Sequence, residues 1–213
     1  MSVPKGRNVR VEIAATFSTA KTVTGVTKAS PGVATSTAHG LAEGTIGYWT
    51  VTAGMTELDG MAGSVDATAT NTWNVEAVDT TNFTTFTAGT FTPVATWVTL
   101  SPATGYDLAG GDADEIDVTT LLDNIHKVDF GLLGAETVNF NQLSDTQAVA
   151  ALQIEAAARA GTDVTFRITL PNGERRVFRG VPSLPGESLA LSQAANSSFK
   201  VAVKGRVLRL PVA

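Results

Sequence analysis

Glu115-Ile116-Asp117-Val118-Thr119-Thr120-Leu121-Leu122, followed by Gly131-Leu132-Leu133-Gly134 and Val138-Asn139-Phe140-Asn141, opens the stretch whose reading decides the fold. A helix signal comes next: Ser144 as N-cap, Asp145 at the positive end of the dipole, Gln147 three residues after the cap and Gly161 as the stop. The spacing predicts a helix from Asp145 to Ala160 that lays Val149, Leu152 and Ala156 on a sheet. Residues 164–170 and 175–180 then alternate at period two about Pro171-Asn172-Gly173, the pattern of a β-hairpin.

Working outward, Val9, Val11, Ile13 and Ala15 alternate with Asn8, Arg10, Glu12 and Ala14. That pattern predicts a strand ending near Phe17, with its polar set facing water. At the other end, Phe199–Val203 and Arg206–Leu210 flank Lys204-Gly205. A closing hairpin is expected there, with Lys200, Arg206 and Arg209 on one basic face. Between these ends, residues 22–100 are rich in Thr, Gly and Ala and hold all three tryptophans, Trp49, Trp73 and Trp97. Short alternating runs at Thr45–Thr52, Thr72–Val78, Phe83–Phe86 and Thr96–Leu100 predict a small all-β insertion. The main body then comprises residues 1–21 and 101–213. Residues 1–7 read as a flexible arm and Ser101–Ala113 as a loop.

Zero cysteines exclude disulfides and thiolate metal sites. No apolar run is long enough to span a bilayer, so no membrane association is expected, and residues 1–7 have no secretory signal pattern. The net charge of -5 is unevenly spread. Residues 1–28 carry +4, residues 29–158 carry -15 and residues 159–213 carry +6. If the ends fold together, opposite charges on two copies can face each other, although separately solvated surfaces explain the same blocks.

The order of an acidic residue, Ile116-Asp117-Val118-Thr119-Thr120-Leu121, a Gly-Leu-Leu step, one helix and the Leu170-Pro171-Asn172-Gly173 hairpin resembles the major tail tube proteins of long-tailed bacteriophages. The likeness covers about Val9–Phe17 and Asp114–Leu210. It implies a mainly β fold, a tail-tube β-sandwich or barrel with one flanking α-helix. It also implies hexameric rings stacked into a virion tube that conducts DNA, with no cofactor, made in the host bacterial cytoplasm. Implied partners are the tape measure, tail terminator and distal tail proteins. Within the insertion, residues 33–41, Gly54-Met55-Thr56-Glu57-Leu58-Asp59-Gly60 and Trp73-Asn74-Val75 are similar to the small β domain of ubiquitin-activating enzymes, which recurs in phage virion proteins. There it is a structural module.

No catalytic constellation stands out. His39 and His126 fall in different predicted modules, and no Gly-x-Ser-x-Gly elbow or phosphate-cradling glycine motif occurs. Asp112, Asp114, Glu115 and Asp117 form the one dense carboxylate cluster, but lack the glycine and distant Glu of a calcium loop. Such carboxylates suit a conduit wall that repels phosphate, or a solvated loop. Arg7, Arg10, Arg175, Arg176, Arg179, Lys200, Arg206 and Arg209 are the candidate subunit contacts; Arg175, Arg176 and Arg179 fit a neighbour's acidic block or nucleic acid. Two other functions fit the residues: a carbohydrate- or receptor-binding module using the tryptophans as a platform, and the tube of a contractile injection machine.

Overall fold

A computed structural model describes residues 8–100, 103–145, 147–191 and 194–212. The chain is mainly β with one helix. Its first eight strands are β1 (Arg10–Phe17), β2 (Lys21–Val23), β3 (Gly25–Val26), β4 (Val33–Thr35), β5 (Ile46–Ala53), β6 (Ala62–Asp66), β7 (Thr72–Val75) and β8 (Ala88–Thr99). Then come β9 (Ala103–Ala109), β10 (Ala113–Asp117), β11 (Val128–Leu133), β12 (Thr137–Leu143), α1 (Val149–Ala160), β13 (Val164–Thr169), β14 (Arg175–Pro182), β15 (Gly186–Ser188), β16 (Asn196–Val203) and β17 (Leu208–Leu210). One antiparallel sheet runs β3-β4-β7-β6-β5-β8-β1-β13-β14-β16-β12-β9, while β10 and β11 form a separate two-stranded sheet.

Period-two patterning builds the body. In β16, Ser197, Phe199, Val201 and Val203 point inward and their neighbours outward. Phe140, Phe166, Phe178 and Phe199 come from β12, β13, β14 and β16, with ring centroids from 5.0 to 6.4 Å apart. Ile154 and Ala150 of α1 join this core. A second core gathers Trp49, Trp73, Phe91 and Met55 from residues 22–100 with Val177, Leu208 and Leu210. β8 touches both regions, since its first half pairs with β5 and β2 and its second half with β1.

β14 therefore lies between two cores. Consecutive Val177 and Phe178 are both fully buried, one in each core. The period-two alternation read at residues 175–180 therefore belongs to a strand buried on both faces. Glu12, expected to face water, is 2% exposed, held between the guanidinium groups of Arg10 on its own strand and Arg167 on the neighbouring β13. Its carboxylate lies 2.6 Å from Arg167 and 2.8 Å from Arg10. Removing one partner of such a buried pair leaves an uncompensated charge. Glu12→Gln is expected to cost about 2 kcal/mol of stability, less than a fully buried pair because Arg10 is half in water, as measured by urea unfolding.

The helix ends where expected. Gly161 has φ +63° and its N–H reaches the Ala157 and Ala158 carbonyls, a left-handed stop suited to glycine. It starts later than expected, at Val149 with Ala148 as an uncapped first residue. Ser144 is held by the sheet: its N–H donates to the Ala195 carbonyl and its hydroxyl to Glu187. The buried stripe is also different. Ala150, Ile154 and Ala157 face the core, while Val149 and Leu152 are 59% and 49% exposed. Small alanines let the helix approach the phenylalanine layer, which outweighs the larger apolar side chains of the rival stripe.

Three more expectations need correction. Phe83–Phe86 is not a strand, although Phe86 plugs the second core. Most of Ser101–Ala113 is not loop but β9, paired with β12. The closing hairpin is absent, since β16 and β17 do not pair with each other. Both pair with β14, at Gly180–Pro182 and Arg175–Val177, as one edge broken by an excursion at Gly205 with φ +77°. Lys200 and Arg209 consequently lie on opposite faces of the sheet, not on one basic face.

Candidate assembly surface

The excursion between β9 and β12 is the most unusual surface of the molecule. β10 and β11 make a hairpin whose residues are nearly all exposed. Ile116, Val118, Leu121, Leu122, Ile125, Val128, Phe130, Leu132 and Leu133 are nine large apolar side chains facing water. Leu121 and Leu122 at the tip are 105% and 94% exposed. A monomer rarely exposes this many large apolar side chains on one short segment, and an isolated two-stranded hairpin is marginal in water.

The hairpin is nevertheless built locally. Register places Glu115 opposite Phe130 and Asp117 opposite Val128, so these four share one face. At the tip, the Thr120 N–H and hydroxyl both donate to Asp123, whose carboxylate also pairs with Lys127. The Lys127 ammonium, with Thr120, holds the Asp123 carboxyl below its ordinary range. Hydrogen bonds from the Thr119 hydroxyl and N–H do the same for Asp117, with His126 3.5 Å away. The neck is glycine on both sides: a Cβ on Gly111 would lie 1.8 Å from the Gly134 carbonyl oxygen, so the strands approach only without a side chain there.

Asp112, Asp114 and Glu115 are exposed on this hairpin and its approach, and none makes an ion pair among the described residues. The basic candidates are more dispersed. Arg7 lies outside the described residues. Arg10 is exposed beside Glu12. Arg175, Arg176 and Arg179 are mostly buried and paired within the chain, with Glu76 at 3.9 Å, Glu174 at 2.8 Å and Asp163 at 3.6 Å respectively. Arg179 also lies 3.7 Å over the Tyr48 ring. Arg206 is exposed and donates to the Ala77 carbonyl. Lys200 and Arg209 are exposed, without ion pairs among the described residues.

Histidine and tryptophan have structural positions here. His39 is buried, with Nδ1 accepting from the Leu41 N–H and Nε2 against the Ala69 carbonyl. Trp49 and Trp73 are fully buried and Trp97 lies under Arg167, which overturns the expected tryptophan platform for a ligand. Among the described residues, no group of three His, Asp or Glu side chains is placed to hold a metal ion, and no helix is long and apolar enough to cross a membrane.

The apolar exposure was missed in sequence reasoning, which found the acids. The usable signal was the set of apolar residues on both faces of one short hairpin with no partner of matching pattern. The sequence profile of the phage tail tube protein, TTP, matches residues 53–210, which include this hairpin, α1 and the phenylalanine core. The chain belongs to the phage tail tube protein family. No curated protein matches it. As a tail tube protein it is a structural component of the bacteriophage virion tail, and a protein of this family assembles with copies of itself and with other tail proteins.

Proposed function

We propose that this chain closes head to tail into hexameric rings, and that the rings stack into a tube through which DNA leaves the virion. The observation that carries the reading is the hairpin Ala113–Leu133, with nine large apolar side chains that no segment of its own chain covers among the described residues. A contact of one patch with a different patch on the next copy leaves each copy able to bind another, and closes when six fit a ring. A second set along the axis stays open and propagates the tube. Arg7, Arg10, Lys200, Arg206 and Arg209 are contact candidates on this reading. The acidic residues Asp112, Asp114, Glu115 and Asp117 serve contacts or a DNA-repelling wall.

The division into a tube body, residues 1–21 and 101–213, and an insertion, residues 22–100, is part of the proposal, with the insertion outside the bore. Catalysis has no part in it. Tape measure, tail terminator and distal tail proteins are the partners, and synthesis is in the host cytoplasm. Negative-stain electron microscopy over a concentration series at low and moderate salt tests the reading. Rings or tubes of uniform diameter are expected; particles that stay monomeric at every concentration, even with an initiating tail complex added, would refute it.

A further inference from the structure

Antiparallel register sets Arg176 of β14 directly opposite Arg209 of β17. Directly opposed residues share a face with Cα atoms about 4.5–5.5 Å apart, and like charges there are unfavourable. Glu174 supplies one carboxylate, 2.8 Å from Arg176. Arg209 is exposed and makes no ion pair among the described residues. The pair thus holds two guanidinium groups and one anion, a site one carboxylate short. On the hairpin the reverse holds: Glu115 is exposed without a cation, and Asp117 sits two residues along on the same face, about 7 Å away.

Resting on the self-assembly reading, we propose that exposed Arg209 of one copy, beside the largely buried Arg176–Glu174 pair, receives the Glu115–Asp117 face of the hairpin of a second copy. Planar guanidinium groups bind carboxylates in a two-pronged geometry, which fixes the angle of the incoming strand as well as holding it. The repulsion in the free chain is the cost of presenting this site, and docking removes it. Charge complementarity of this kind acts chiefly on registry and on encounter rate, so it chooses which patch the apolar hairpin covers.

Charge reversal tests the pairing. Arg209→Glu, the double change Glu115→Lys with Asp117→Lys, and all three together are compared with wild type by sedimentation velocity and microscopy. Measurements at about 0.1 M and about 1 M salt span screening lengths from about 10 to about 3 Å. Each reversal alone is expected to raise the concentration needed for assembly by about tenfold or more at low salt, and the combination to recover most of it. Arg209→Gln provides an independent reading: it relieves the Arg176 repulsion, so the monomer melts about 1–3 °C higher while assembly weakens. Wild-type assembly that ignores both reversals, or a triple variant no better than the singles, would overturn the pairing alone. Wild type that never assembles would overturn the assembly reading and the pairing with it. If Arg209→Glu abolishes retention of double-stranded DNA and leaves assembly intact, the anion is phosphate and the proposal is wrong.

Discussion

Replacing residues 113–133 with a short glycine–serine linker will leave a folded monomer that no longer assembles. The hairpin belongs to its own two-stranded sheet and contributes no residue to either hydrophobic core, so its loss removes almost no buried apolar surface from the free chain. The melting temperature followed by circular dichroism should change by no more than about 2 °C. Assembly is different. A fully buried Leu, Ile or Phe side chain contributes about 1.5–3 kcal/mol, so half-covering nine of them yields on the order of 10 kcal/mol per contact before the cost of association. Among the described residues no other segment exposes as many large apolar side chains, and rings should vanish at every concentration. Leu121→Asp with Leu122→Asp gives a milder version of the same loss. Undiminished tubes from the linker variant would show that the hairpin is peripheral.

What could be read from sequence follows from where each residue finds its partner. β12, β13 and β16 were legible because one face of each is apolar and packs on the phenylalanine core. β14 was legible as a strand of the β13–β14 hairpin, although both of its faces are buried. The helix stop was legible because Gly161 acts within one turn. The helix start was not, since Ser144 bonds to Glu187 and Ala195, more than forty residues away. Lys204-Gly205 has the composition of a reversing turn, yet the chain continues along β14 because that edge offers two separate registers. At the candidate surface, the acids Asp114, Glu115 and Asp117 stood out by density. The apolar residues between them carried no label saying whether they are covered by their own chain or by another.

The largest effect on stability is expected at the phenylalanine stack. Phe166 is fully buried, with Phe178 at 5.2 Å and Phe140 at 5.5 Å in near-parallel planes and Phe199 at 6.4 Å. Phe166→Ala removes a fully buried ring from the layer formed by β12, β13, β14 and β16, so both the transfer and the cavity costs apply. The expected loss is about 3–5 kcal/mol, a fall of about 10 °C or more in melting temperature, read by calorimetry and by urea unfolding. Because Phe166 pairs across to Phe178, whose neighbour Val177 seals the other core, the second core should loosen as well. Near-ultraviolet circular dichroism of buried Trp49 and Trp73 would report that coupling. A drop confined to the phenylalanine side, with the tryptophan signal melting at its original temperature, would mean that the two cores unfold separately despite sharing β14. The phenylalanine core would then hold independently of the core that gathers Trp49 and Trp73.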